Sequence, residues 1–196
     1  MAHQVPPLET PRLLLRSLEA EDLPQIQAIF PQWEIVKYLN AKVPWPYPAN
    51  GAELFFREMA LPARERGEEW LWTIRLKSAP DTIIGAISLT KNDHENRGFW
   101  LDPRFHSHGY MSEACDAVTD FWFEVLTFPV LRVPKAVANT ASRRISEKLG
   151  MRVIERSQRD YVCGRLPAEL WEITAEEWRA RKAQMQKAVA ETGKEA

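Results

Sequence analysis

The feature that most constrains this chain is a strand, a tight polar turn and a helix set end to end between Arg97 and Phe128. Arg97-Gly98-Phe99-Trp100-Leu101-Asp102-Pro103 reads as a short apolar strand closed by a proline. Arg104-Phe105-His106-Ser107-His108 is a polar turn that runs through Gly109 into a helix. From Ala114 onward, apolar residues fall at Val118, Phe121, Trp122, Val125 and Leu126, the spacing of a buried helical face. Pro129 forbids further helix. The first N–H groups of such a helix have no partner and carry partial positive charge, so the turn is a ready anion site. Gly109 lets the backbone approach a ligand closely, Ser107 adds a short hydroxyl, and Arg104 brings a fork of donors suited to phosphate. The expected occupant is a pyrophosphate.

The dinucleotide fingerprint G-x-G-x-x-G and the phosphate loop G-x-x-x-x-G-K-S/T are both absent. The turn instead resembles the acetyl-coenzyme A loop Q/R-x-x-G-x-G/A of the GNAT N-acetyltransferases. Arg104 stands first and Gly109 last, with Ser107 in place of the first glycine. Gly109-Tyr110-Met111-Ser112-Glu113-Ala114 is similar to the G-Y-x-S/T-E-A of the RimJ/RimL branch, which acetylates ribosomal-protein N-termini. Asn139-Thr140-Ala141-Ser142, followed by Glu147-Lys148-Leu149-Gly150-Met151, looks like that branch's N-x-x-S and E-K-L-G-F/M. Thr10-Pro11-Arg12-Leu13-Leu14-Leu15-Arg16 is similar to its first strand. The likeness runs from Thr10 to Trp178, and three motifs in the right order make it strong.

The resemblance implies a mixed α/β GNAT fold: a bent, mostly antiparallel central sheet with one splayed parallel strand pair and helices on both faces. It implies acetyl transfer from acetyl-CoA to a primary amine, a protein N-terminal α-amine or a relative of it, by direct attack. The backbone of Phe105, His106, Ser107, His108, Gly109, Tyr110 and Met111 would then hold the pyrophosphate with Arg104. Trp100 and Leu101 would line the pantetheine, and Asn139 would orient it from the other side. Ser142 resembles the serine assigned as general acid in this branch. Either Asn139 or Ser142 could equally cap the helix that follows. The strand position where many GNAT enzymes carry a glutamate base is Asn96, with Glu95 beside it. Glu95 or Asp160 could take a proton through water, or both could simply be solvated. An α-amine, with a pKa near 8, is roughly a tenth neutral at pH 7 and needs less help than a lysine.

Further candidates are open to two readings. Trp33, Tyr38, Trp45 and Tyr47 lie in a non-periodic region that covers the acceptor site in similar enzymes, yet the prolines around Trp45 could just stiffen a loop. Trp70, Trp72, Trp100, Trp122 and Trp171 sit in periodic segments and read as core. His106 and His108 are an incomplete metal set and read as loop residues, so no metal is expected. Arg143, Arg144 and Lys148 could reach the coenzyme's nucleotide phosphates or form a solvated face. Glu113 supports the helix's first turn.

Composition bounds the rest. A chain of 196 residues is read as one domain, burying roughly 70% of its unfolded surface. Residues 1–9 are expected to be a loose arm, 10–178 the domain, and 179–196 a charged helix and tail that frays at its end. A net charge of −1 argues against nucleic acid. Two cysteines offer no disulfide framework, metal spacing or obvious histidine partner, and no stretch approaches membrane length. A reducing cytoplasm is the default, and a homodimer is compatible with all of this. The expected strands are Arg12–Leu18, Trp70–Lys77, Thr82–Thr90, Arg97–Leu101, Val130–Ala138, Met151–Val162 and Ala168–Thr174. Turns are expected at Ser78–Asp81 and Cys163–Pro167. Ile83, Gly85, Ile87 and Leu89 should share a face. Pro134 cannot donate to a ladder, so it should lie on the splayed side of its strand. Two other functions stay open: acetylation of a small amine or amino-acid-like metabolite, and acyl-coenzyme A binding without turnover.

Overall fold

The computed structural model describes residues 4–192, with side chains to Lys187. Met1–His3 and residues 193–196, the ends of the expected arm and tail, lie outside the described residues. In order, the chain forms β1 (Leu8–Glu9), β2 (Leu13–Ser17), α1 (Leu23–Ile29) and α2 (Trp33–Val36). Then come α3 (Gly51–Phe55), α4 (Leu61–Glu65), β3 (Glu69–Leu76), β4 (Ala79–Thr90) and β5 (Arg97–Leu101). The second half holds α5 (Tyr110–Asp120), β6 (Val130–Ala136), α6 (Thr140–Lys148), β7 (Arg152–Tyr161), β8 (Gly164–Thr174) and α7 (Ala175–Thr192).

The strands make two antiparallel sheets, ordered β1-β2-β3-β4-β5 and β6-β8-β7. The pair joined through α5, β5 and β6, shares no ladder and is stitched at one end. There the Asn96 N–H donates to Arg132 O at 2.8 Å, and the Arg132 N–H donates to Asn96 Oδ1 at 2.7 Å. Since Arg132 turns both backbone groups toward Asn96, alternation turns the nitrogen of Pro134 the same way, into the gap. Pro134 therefore removes a donor that has no strand to meet, while the Val137 N–H on the other phase reaches Pro167 O at 2.9 Å. The sheet is splayed here, as the resemblance implies.

Helices cover both faces. Trp72, Ile74, Leu13 and Leu15, all fully buried, pack with Val118, Trp122 and Phe123 beneath α5. On the other face Leu18, Phe30, Val36, Phe56 and Ile83 form a second cluster with α1 to α4. Leu149 and Trp178 bring α6 and α7 onto the α5 side. The Thr174–Glu177 capping box forms, with the Glu177 N–H donating to Thr174 Oγ1 and the Thr174 N–H to Glu177 Oε2.

Four local expectations change. Residues 4–9 are held rather than loose: Val5 is buried, Pro6 O accepts from Trp72 Nε1 at 2.7 Å, and Leu8–Glu9 is a strand. The hairpin turns are shorter than expected, because Leu76 faces Ala79 and Tyr161 faces Gly164. Ile83 does not share a face with Ile87 and Leu89. A register shift opposite Ile74 and Arg75 reverses the alternation, so Ile83 joins the α1–α4 cluster. Val125 leaves the buried stripe of α5 and is 63% exposed, while Phe123 is fully buried. The cause is a π-helical turn at Phe121–Val125, where the Leu126 N–H reaches back to Phe121 O, and this rotates the apolar face.

Candidate active site

β5 carries a candidate site at each end. After Leu101, Asp102 caps a single 3₁₀ turn by accepting from the Arg104 N–H at 3.0 Å. Asp102 is 1% exposed and also takes the Arg104 guanidinium, Nη2 at 2.6 Å, which holds its carboxyl below the ordinary range. The fork expected to meet phosphate is thus docked on Asp102, although the side chain stays 75% exposed. Ser107 and Gly109 then take positive φ, 64° and 81°, and Gly109 is the N-cap of α5. Among the described residues, no backbone carbonyl outside α5 accepts from the N–H groups of Ser107, His108, Gly109, Tyr110 or Met111. His106 Nε2 lies 3.0 Å from Leu101 O, and His108 Nδ1 lies 2.7 Å from His106 O. Both histidines are therefore fastened within the loop. No group of three metal-ligating side chains occurs among the described residues.

Glu113 fastens this turn to the start of the chain. It accepts from Thr10 Oγ1 at 2.5 Å, the Arg12 N–H at 2.9 Å and Arg12 Nε at 2.7 Å. Burial alone would raise its carboxyl, but these donors hold it below the ordinary range. Arg12 also donates to His108 O and lies 4.6 Å over the Tyr110 ring.

Along the first half of β5 the splay opens a cleft of about 750 Å³. One wall is Arg97, Gly98 and Phe99, and the other is Pro134, Lys135 and Ala136. Asn139, the N-cap of α6, and Ser142 in its first turn also line it, with Asn139 Oδ1 accepting from the Ser142 N–H at 3.2 Å. The Ser142 hydroxyl is left free of capping and accepts from Lys135 Nζ at 2.6 Å. Glu95 and Asp160 stand at the rim, with Glu95 bound to Arg159 Nη1 at 2.6 Å. Asn96 is buried as the stitch between the strands, so no carboxylate occupies the family's base position. Arg143 is tied to Glu169 at 3.0 Å.

Of the acceptor candidates, Tyr38 lines the cleft, on a segment whose Leu39 and Lys37 carbonyls accept from the Val162 and Cys163 N–H groups. Trp33 and Trp45 face each other at 5.5 Å outside it, and Tyr47 packs on Phe30 in the second core. Leu101 is buried in the first core, and Trp100 packs on Phe30 at 5.4 Å. What these two offer is the backbone edge of β5 that faces away from β4.

Two titratable groups escape a sequence reading. Lys135 is 6% exposed, and burial, with the Arg97 charge beside it, lowers it to about 7. Strand alternation from Leu131 and Val133 was the available signal, since it places Lys135 on the inward face. Glu69 is pushed up to about 7 by burial, against a hydrogen bond from Ser88, which itself lines the cleft.

A sequence profile described as Acetyltransferase (GNAT) domain matches residues 12–152. YdaF of Bacillus subtilis, named as a ribosomal N-acetyltransferase, is 32% identical over 73 residues, which are 35% of this chain and 40% of YdaF. The fold is shared with solved structures. A ribosomal-protein alpha-N acetyltransferase, RimL, in complex with coenzyme A, superposes with a TM-score of 0.72 at 16% identity, covering 86% of this chain and 97% of that one. Spermidine N-acetyltransferase from Vibrio cholerae, in complex with CoA and spermine, gives 0.72 at 17%, covering 86% and 99%. With a profile match across most of its length and this architecture, the chain belongs to the GNAT acetyltransferase family.

Proposed function

We propose that this protein transfers an acetyl group from acetyl-CoA to a primary amine, with a protein N-terminal α-amine as the preferred acceptor. The observation that carries the reading is the pairing, along one strand, of a turn of unpartnered N–H groups with a cleft that presents the Ser142 hydroxyl. The turn from Arg104 to Met111 fits a pyrophosphate, and the open edge of β5 fits an extended pantetheine arm. The bound coenzyme supplies the thioester. Asn139 holds the start of α6, and Ser142 delivers a proton to the departing sulfur.

The charges of the cleft bear on the acceptor. Lys42, Arg97, Lys135 and Arg159 line it against Glu95 and Asp160, a poor lining for a polycation. With Asn96 clamped and Glu95 bound to Arg159, an acceptor that is partly neutral near pH 7 suits the site best. A cytoplasmic setting completes the reading: Cys115 and Cys163 are both free, and no helix among the described residues is long and apolar enough to cross a membrane.

The test is thiol release from acetyl-CoA with a panel of short peptides, free amino acids and spermidine. Release with peptides is expected, and Ser142→Ala should lower turnover roughly 100-fold while coenzyme affinity changes little. Unchanged turnover removes Ser142 from the chemistry. Thermal stabilisation by coenzyme A without release from any amine makes the protein a binder instead.

A further inference from the structure

The inner end of the cleft holds two buried cationic side chains. Arg97 and Lys135 are each 6% exposed, and neither forms a salt bridge among the described residues. Arg97 Nη1 donates to Thr119 Oγ1 at 2.9 Å, Nη2 lies 3.7 Å from Met151 Sδ, and its buried Nε has no partner. Lys135 Nζ sits 5.1 Å from the centre of the Phe99 ring and donates to Ser142 Oγ. The titratable groups that act on them both lie on α5: the buried Cys115 thiol, which acts on both cations, and the Asp116 carboxyl, which acts on Arg97. Burial pushes both the Cys115 thiol and the Asp116 carboxyl toward their neutral forms.

A buried cation without a salt-bridge partner is costly. A fold that keeps two of them beside a cleft is arranged for negative charge that arrives from outside. The hydrogen bonding says where. An ammonium only donates, so Ser142 Oγ is the acceptor of that 2.6 Å bond, and its own hydrogen remains for something else. Among the described residues nothing takes it.

We propose that Lys135 is the positioning residue for the leaving group: it holds Ser142 Oγ and replaces the proton that Ser142 gives to the departing sulfur. The inference rests on the acetyl-transfer reading. Ser142 passes its hydroxyl proton to the sulfur that takes the electron pair of the breaking C–S bond, as the amine nitrogen forms the new C–N bond. Lys135 gives a proton to Ser142 Oγ in the same movement, and Arg97 supports the negative charge as it develops. The amine's proton leaves to water, and solvent returns one to Lys135. Because Lys135 is lowered to about 7, both of its states are populated near neutrality, which suits a group that gives up and regains a proton each turnover.

The decisive readout needs no turnover. The thiol of bound coenzyme A is titrated by its ultraviolet thiolate absorbance in the wild type, Lys135→Met and Lys135→Arg. The thiol should ionise at higher pH in Lys135→Met, whereas Lys135→Arg, charged at every pH, should bring the midpoint to the wild-type value or below it. With acetyl-CoA and a peptide acceptor, Lys135→Met should lower kcat roughly 10- to 100-fold and leave the KM for acetyl-CoA within about threefold. Wild-type kcat/KM should fall on the alkaline side as Lys135 loses its proton, and Lys135→Met should lack that limb. The double variant Ser142→Ala/Lys135→Met should lose no more than the worse single variant. An unmoved thiol titration, or independent multiplicative losses, overturns the proposal. If Lys135→Met does not fold, Lys135→Arg carries the test through its alkaline limb, which should vanish; a limb left in place overturns the proposal. A wild type that releases no thiol with any amine overturns the acetyl-transfer reading instead, and the titration still decides the pair.

Discussion

Ser107 and Gly109 both hold positive φ in the turn before α5, and only one of them is a glycine. An L-residue in that region costs roughly 1–2 kcal/mol, so the turn keeps its shape at Ser107 against local preference. At Gly109 a methyl group would add that strain and also meet Arg12 Nη2 at 3.4 Å. Gly109→Ala is therefore expected to lower stability by about 1–2 kcal/mol and to raise the KM for acetyl-CoA severalfold. Urea unfolding and initial rates check this, and an unchanged KM would separate the turn from coenzyme binding. At this scale the sequence was partly legible. Gly109, Asn139 and Ser142 announce themselves, because a turn glycine and a cap motif have local causes. Lys135 does not: its importance comes from Arg97 and Ser142, which a strand and a helix bring to it from elsewhere in the chain.

Regular elements were readable where their period held, and the misassigned faces fall where it broke. The π-helical turn at Phe121–Val125 inserts extra backbone into the end of α5, so a 3.6-residue count carried through it buries Val125 and misses Phe123. Alternation along β4 fails at Ile83 for the same kind of reason, a register shift against β3. The π-helical turn holds no glycine or proline to mark it, and Gly85 at the edge of the β4 shift reads equally well as an ordinary strand position. The phase of α5 is testable by a pair of truncations. Phe123→Ala should cost about 3–5 kcal/mol, whereas Val125→Ala should stay within about 0.5 kcal/mol. Denaturant midpoints of the two variants measure the contrast, and equal losses would refute the rotated face.

The whole molecule is two sheets that separate along one strand and are covered by helices on both sides, and three motifs in order were enough to anticipate it. What they left out is the charge inside. Glu69 ordinarily titrates at 4.5 and is raised to about 7 in the fold, so between those values the folded protein keeps a proton that the unfolded chain has released. Stability should therefore fall as pH rises across that window, by roughly 3 kcal/mol at most, and stay level beyond it. Glu69→Gln should remove this slope between pH 5 and 7 in urea titrations; a slope identical to wild type would show that Glu69 is ionised throughout. The fastening of Glu113 to Thr10 and Arg12 carries a different consequence. The segment that braces the turn before α5 lies about a hundred positions upstream of it and reaches into the turn as well, through Arg12 on His108 O. Glu113→Gln would slacken that brace while leaving Val5 and β1 in place, so a stretch at the far end of the sequence governs how firmly the turn is held.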